Sequence, residues 1–156
     1  MIFRMVNNGN LKISKKVLDS FSHFRQDYSY KREAGGILLG RYIENSNDIV
    51  IDKVTVPYQS DIRRRYYFHK KDLQHQHIIN QEWEISDGTC NYLGEWHTHP
   101  ENVPTPSAID INGWKKKLQE DSFDHHSLYF IIVGIKEIKT WETCVIDNSI
   151  TELKEI

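Results

Sequence analysis

The sequence predicts a single α/β (α+β) domain, residues 1–156, in which a mixed β-sheet is flanked by helices. Short apolar runs typical of strands alternate irregularly with stretches of helical periodicity, which is the order of elements expected for such a fold. The chain of 156 residues is 38% hydrophobic and 27% charged, without an internal repeat or a long linker, so it can bury one core. The same composition excludes a disordered or fibrous protein.

The first half of the chain is predicted to contain two hairpins and a helix. Met1–Ser14 reads as a hairpin that turns at an Asn-Gly-Asn sequence. Gly35–Tyr42 and Ile49–Val56 are strand-like runs joined by an asparagine-rich turn, so they should pair as a second hairpin. Between the hairpins, apolar residues recur at steps of three and four and predict an amphipathic helix: Val17, Leu18, Phe21 and Phe24.

The second half is predicted to contain two helices and four strands. In chain order these are the short strand Tyr66–Phe68, the helix Lys71–Ile85, the strand Asn91–His99, the helix Ser107–Leu118, and the closing strands Tyr129–Ile135 and Lys139–Ile146. Pro100 ends the third of these elements, since proline cannot donate to a strand ladder. Pro104 and Pro106 make the following segment a stiff loop, and Ser107 is placed to cap the helix after it.

Charge and composition exclude several classes of function. The chain has 20 basic and 22 acidic residues, a net charge of −2, which argues against nucleic-acid or anionic-membrane partners. No run approaches the roughly 20 apolar residues of a membrane span, and residues 1–10 lack the pattern of a signal peptide. Cys90 and Cys144 lie in strand-like runs and are too few for a disulfide framework, so we expect structural thiols in a cytoplasmic protein.

The candidate for chemistry is the segment Glu95-Trp96-His97-Thr98-His99-Pro100. Residues two apart on a strand point to the same side, so His97 and His99 can aim both imidazoles at one point while Thr98 faces away. Asp110 enters from the first turn of the next predicted helix. Two histidines and one carboxylate suit zinc and leave a fourth position open for water, which is typical of a catalytic metal site.

Each part of this pattern also has an ordinary structural interpretation. Ser107 and Asp110 have the spacing of a capping box, and an isolated His-x-His is most often only hydrogen-bonded. The combination is different, because these residue types at these offsets should occur by chance in on the order of one such chain in a million. A second His-x-His, His75 and His77, lies in a predicted helix where such residues diverge, and both are predicted to lie on the surface.

The combined pattern resembles the JAMM motif of the JAB/MPN-type metallopeptidases. The residues that carry the resemblance are His97-Thr98-His99-Pro100, then Ser107 after six residues and Asp110 after two more. Upstream, Glu33-Ala34-Gly35-Gly36-Ile37-Leu38-Leu39-Gly40 resembles the family's glutamate segment. The resemblance covers Glu33 to Asp110, half of the chain, and implies a single JAB/MPN domain with an architecture similar to that of the zinc cytidine deaminases.

The resemblance implies a role for each residue. His97, His99 and Asp110 would bind one zinc ion per chain, Glu33 would act as general base and then as general acid, and Ser107 would help stabilise the oxyanion. Strand alternation places Glu95 on the same face as the histidines, so spacing alone leaves both Glu33 and Glu95 open as the base. The resemblance selects Glu33 and leaves Glu95 a supporting or substrate-side role.

The resemblance is strongest to the standalone bacterial JAB proteins, including those of CBASS anti-phage operons. It implies a zinc-dependent, deubiquitinase-like isopeptidase that frees the carboxyl-terminal tail of a conjugated cyclic-oligonucleotide synthase and so reverses priming, with the tail bound as an added strand. Alternatives are maturation of a ubiquitin-like or sulfur-carrier precursor, and a non-catalytic MPN scaffold, which would show a degraded motif. The run Arg63-Arg64-Arg65 is predicted to be solvated, with a role in gripping an acidic partner left open.

Overall fold

The computed structural model describes residues 1–156 and contains a nine-stranded mixed sheet, a two-stranded sheet and three helices. The strands are β1 Ile2–Arg4, β2 Asn10–Ile13, β3 Gly35–Tyr42, β4 Ile49–Val54, β5 Ile62–Arg64, β6 Tyr67–His69, β7 Asn91–Thr98, β8 Ser127–Val133, β9 Ile138–Cys144, β10 Ile150–Glu152 and β11 Lys154–Glu155. The helices are α1 Lys15–Phe24, α2 Gln74–Ile85 and α3 Ala108–Glu120. The predicted α+β class with a mixed sheet is confirmed.

The strand β7, which contains His97 and ends next to His99, lies in the middle of the large sheet. The strand order is β10-β9-β8-β7-β3-β4-β2-β1-β11, with β7 antiparallel to β3 and parallel to β8. A parallel pair needs a crossover connection, and α3 supplies it between β7 and β8. The end of β7 and the start of α3 are therefore brought to the same edge of the sheet.

The helices cover both faces of the sheet. On one face, Val17 and Phe21 of α1 belong to the largest core cluster, in which Phe21 packs against Trp96 of β7. The opposite face packs against Trp114 and Leu118 of α3. Helix α2 covers the second face as well, over Ile37. Because alternate residues of a strand point to opposite faces, this arrangement decides which residues of β7 face α3.

A glycine sets the register of β7 before the histidines. Gly94 has a φ of +133°, and a Cβ on it would lie 1.9 Å from the carbonyl oxygen of Tyr129. The pairing of β3 with β7 shifts between Leu38 and Leu39, opposite this position. Any other residue at Gly94 would be strained and would force β7 and β8 apart.

Both predicted hairpins are confirmed, whereas several short elements differ from the sequence prediction. The β1–β2 and β3–β4 pairs are antiparallel, with Asn8 and Asn45 at positive φ in their turns. The arginine run lies in or beside β5, which pairs only with β6 and has no apolar alternation to announce it. The strands β10 and β11 were not predicted, since each is very short. No helix is both long enough and apolar enough to cross a membrane.

Candidate metal centre

His97 and His99 converge at the end of β7. Their Nε2 atoms are 3.0 Å apart, and the ring centroids are 4.8 Å apart. Thr98, between them, points to the opposite face, where its hydroxyl accepts from the Ala34 amide and donates to Oε1 of Gln26. The predicted alternation is thus observed, and Thr98 fixes the strand end that presents the two imidazoles.

Asp110 completes the cluster from the first turn of α3. Its Oδ1 lies 3.2 Å from Nε2 of His97, and its Oδ2 lies 3.4 Å from Nε2 of His99. One candidate ligand atom from each of these three residues lies within 4.8 Å of the others. Ser107 and Asp110 also form the predicted capping box, with the Ser107 hydroxyl accepting from the Asp110 amide at 3.2 Å. The capping and ligand roles are geometrically compatible.

The close contact between His99 and Asp110 shifts the pKa values of both side chains. Burial raises the pKa of Asp110, but hydrogen bonds from His97 and His99 more than offset this and hold it well below its usual range. Burial lowers the pKa of His99, but the Asp110 carboxylate outweighs that effect and raises it. Two imidazole nitrogens and a carboxylate oxygen at one point are the donor set of a three-ligand zinc site. The residues therefore fit a bound metal ion.

Glu33 lies beside this cluster, in the loop before β3. Its Oε1 is 4.0 Å from Nε2 of His99, and its side chain is only 7% exposed. Burial raises the pKa of Glu33 to about 8, although the charge of His99 pulls it the other way. The Glu33 amide donates to the Arg64 carbonyl, and Nε of Arg63 donates to the Glu33 carbonyl, each at 2.8 Å. Strand β5 thus clamps the backbone of Glu33.

The clamp corrects the prediction that the arginine run is solvated. Arg63 is half-buried, and its guanidinium lies over the ring of Phe24 at 5.7 Å. Arg65 donates to the carbonyl of Tyr28, and Arg64 has the exposed side chain of the three. The sequence, a run of like charges, did not indicate that Arg63 and Arg65 donate hydrogen bonds to backbone carbonyls.

Glu95 has a different environment from Glu33. Its Oε1 lies 3.1 Å from Nζ of Lys70 and 3.0 Å from Nζ of Lys117. Burial lowers the pKa of Lys117, but the Glu95 carboxylate outweighs that effect and raises it. Glu95 is therefore held by two ammonium groups, whereas the ion-pair contact of Glu33 is with His99.

A groove of about 660 Å³ runs past these side chains. One wall is the β6 segment with Tyr66 and Tyr67, and the other is the start of α3 with Ile109 and Gly113. Glu33, the two histidines, Asp110 and Ser107 all line it. A peptide chain lying in this groove would pass directly over the candidate metal centre.

Sequence reasoning missed one polar neighbour of the centre. Oε2 of Glu101 lies 3.4 Å from Nδ1 of His99 and accepts from the Thr105 amide. A metal-bound histidine is usually oriented by such a contact on its other nitrogen. The sequence feature that could have identified Glu101 is its position two residues after His99.

The surface prediction for the helical histidine pair is wrong for His75. This side chain is buried, with Nδ1 2.6 Å from the Thr55 hydroxyl and Nε2 2.7 Å from Oδ2 of Asp61. His77 is exposed as predicted. Cys90 is buried and Cys144 half-buried, and both are free thiols.

Comparison with known proteins places most of the chain in one family. Residues 14–144 match the family model described as prokaryotic homologs of the JAB domain. The solution structure of a Desulfitobacterium hafniense protein superposes with a TM-score of 0.61 at 22% identity, covering 91% of this chain and 88% of that one. That likeness concerns the fold.

Two curated relatives are similar over most of the chain. A CD-NTase/cGAS isopeptidase of Escherichia coli strain TW11681 is 34% identical over 148 residues, which are 95% of this chain and 90% of the relative. Another protein of that name, from Pseudomonas aeruginosa strain BWHPSA011 / Pa011, is 38% identical over 128 residues, 82% of this chain and 79% of the relative. The chain therefore belongs to the family of prokaryotic homologs of the JAB domain.

Proposed function

We propose that the protein is a zinc-dependent isopeptidase that releases the carboxyl-terminal tail of a conjugated CD-NTase. One observation carries the proposal: His97, His99 and Asp110 converge beside the buried carboxyl of Glu33, in a groove open to a peptide. The substrate class follows from the relatives, which are named CD-NTase/cGAS isopeptidases. In a CBASS operon, this reaction would reverse the attachment that primes the synthase for anti-phage defence.

Zinc is the ion that the donor set favours. His97, His99 and Asp110 would hold it through nitrogen and oxygen atoms, and three protein ligands leave a position for water or the scissile carbonyl. When bound, zinc polarises a carbonyl and lowers the pKa of water from 15.7 to about 7. Glu101, at Nδ1 of His99, would hold that ring in its ligand orientation.

Glu33 is proposed to move the proton. Hydrolysis adds the water oxygen to the carbonyl carbon, breaks the carbon–nitrogen bond, and requires a proton on the departing amine. A carboxyl whose pKa burial has raised to about 8 can accept a proton from water and return it to the amine near neutral pH. A nearby cation would lower this pKa, which favours the carboxylate form before water attack.

Ser107 is proposed to stabilise the oxyanion of the tetrahedral intermediate. Its hydroxyl donates to Oδ2 of Asp110 at 2.7 Å and lines the groove at the start of α3. A hydroxyl that rotates towards the developing charge stabilises it, and one such donor contributes roughly 3 kcal/mol in comparable sites.

The test is cleavage of a fusion in which the carboxyl-terminal tail of a CD-NTase is joined to a reporter protein. We expect cutting at the junction, loss of cutting with a zinc chelator, and recovery on adding zinc. Cutting that resists the chelator would contradict the metal mechanism. Cutting of a ubiquitin-like precursor, but not of the CD-NTase tail, would indicate that the protein matures such precursors instead.

Two matched variants test the assignment of the base. Glu33→Gln and Glu95→Gln make the same chemical change in the same groove. We expect Glu33→Gln to keep its zinc and lose activity by about a hundredfold or more, as for other general acid–base residues. Glu95→Gln should remain active, and the reverse result would make Glu95 the base.

A further inference from the structure

A glycine in the wall of the groove has no explanation within the chain itself. Gly113 is the sixth residue of α3, which runs from Ala108 to Glu120. Glycine in the middle of a helix is destabilising relative to alanine. A glycine at such a position is normally required either by a positive φ or by a close neighbour that leaves no room for a Cβ.

Neither reason applies to Gly113. Gly88 and Gly94 are the glycines with positive φ, so Gly113 has ordinary helical backbone. A Cβ built on Gly113 would meet no atom within 4 Å, whereas a Cβ on Gly35 or Gly94 would collide with a neighbouring strand or ring. The protein could carry a side chain at position 113 without any internal clash.

The space in front of Gly113 belongs to the groove. The residue lines it together with Asp110, three positions earlier, and Lys117, four positions later. These offsets place all three on one face of the helix. Gly113 is therefore slightly less than one turn, about 4.5 Å along the helix axis, from the candidate metal ligand Asp110. Tyr66 and Tyr67, on the opposite wall, are 78% and 37% exposed, which is typical of a binding surface rather than a core.

We propose that Gly113 is a specificity-determining residue: the extended substrate chain crosses α3 in close contact with it, where a Cβ would stand in its path. The inference rests on the proposed isopeptidase function and adds to it the point at which the tail passes the helix.

The test compares Gly113→Leu with Asn112→Leu on the CD-NTase tail fusion. Asn112 is exposed, adjacent in α3 and outside the groove lining, so it reports the effect of a leucine that the substrate does not meet. We expect Gly113→Leu to lower kcat/KM about 10-fold or more, and Asn112→Leu to change it less than twofold. Bound zinc should be unchanged in both.

Thermal unfolding makes this test independent of misfolding. Gly113→Ala should raise the Tm by about 2 °C, since alanine is the better helix former. The expected Gly113→Leu protein is thus at least as stable as the wild type and yet less active. Equal kcat/KM for Gly113→Leu and Asn112→Leu would overturn the inference while the isopeptidase function stands. Failure of the wild type to cut the fusion would contradict the proposed function, and the inference about Gly113 would fall with it because it rests on that function.

Discussion

The chain contains two His-x-His pairs, and their surroundings give them opposite characters. At the end of β7, His97 and His99 point to the same side and meet Asp110 at a groove. On helix α2, His75 is buried and His77 is exposed. We call His97, His99 and Asp110 the open cluster. We call Thr55, His75 and Asp61 the closed cluster.

Hydrogen bonding explains the difference between them. In the closed cluster, Nδ1 of His75 lies within hydrogen-bond distance of the Thr55 hydroxyl and Nε2 within hydrogen-bond distance of Asp61, so the protein itself satisfies both nitrogens. In the open cluster, two Nε2 atoms face each other at 3.0 Å across from one carboxylate. The three converging ligand atoms of the open cluster favour a metal ion. In the closed cluster the polar atoms already have hydrogen-bond partners within the protein, so no atom is left to bind a ligand.

The closed cluster also supports the open one. Asp61 accepts from the amides of Tyr58, Lys71 and Asp72, and so it fixes both segments that flank the β5–β6 hairpin. That hairpin clamps the backbone of Glu33. A buried histidine–carboxylate pair can thus position the proposed base, Glu33, without touching it.

The largest effect should come from His99→Ala. Removing one of three ligands should abolish metal binding and lower activity by about a thousandfold or more, because metal catalysis is worth several kcal/mol. Metal analysis of protein purified without chelator should return about one zinc per chain for the wild type and none for the variant. Full zinc content in His99→Ala would show that His99 is not a metal ligand and that the open cluster does not bind zinc as proposed.

The matched change in the closed cluster is His75→Ala. It leaves the buried Asp61 carboxylate without its histidine, so we expect the free energy of unfolding to fall by about 3 kcal/mol. Zinc content of the folded protein should be retained, with activity reduced through the clamp on Glu33. Urea unfolding and metal analysis check this, and loss of zinc without loss of stability would show that His75 acts as a ligand.

The pH dependence of stability should reveal Asp61. Burial raises the pKa of Asp61, but the amides of Tyr58 and Asp72 and the ring of His75 more than offset this and lower it to about 2. A folded-state pKa below the unfolded value of 3.8 means that protonation favours unfolding. The contribution of Asp61, on the order of 2 kcal/mol, should be present above pH 4 and lost as the pH falls towards 2.

Urea unfolding at several pH values between 6 and 3 measures this contribution. Asp61→Asn should be less stable than the wild type near neutral pH and should flatten the acid dependence. Asp19→Asn is the control, because that carboxylate is 66% exposed and pairs only with Lys15 on the helix surface. Equal acid dependence in the wild type and Asp61→Asn would show that folding does not lower the pKa of Asp61.

The smallest effect we predict is that of Arg63→Met. It removes the donor to the Glu33 carbonyl and should lower kcat roughly 10-fold by displacing the carboxyl, while zinc content stays the same. Arg64→Met is the matched control, since the Arg64 side chain is exposed and its backbone carbonyl, which holds Glu33, remains. Arg63→Lys should recover part of the activity. Equal activity in Arg63→Met and Arg64→Met would remove Arg63 as a positioning residue.

Much of the open cluster was predictable because its geometry is local. Period-2 alternation placed His97 and His99 together and turned Thr98 away, and the capping pattern brought the Asp110 carboxylate to the start of a helix. The burial of His75 was not predictable, because its partners lie in other elements, 20 and 14 residues away. The two carboxylates Glu33 and Glu95 also could not be ranked by spacing.

The sequence by itself determined the longer elements, the face on which the side chains of His97, Thr98 and His99 lie, and the residue types gathered at the candidate metal centre. These follow from backbone periodicity and from donor chemistry, which act over a few residues. Only the tertiary structure decided which carboxylate is paired with lysines, which histidine is enclosed, and that Gly113 faces a groove. Those outcomes depend on contacts between elements distant in sequence, and the free energy of a buried polar group is set by the neighbours that folding brings to it.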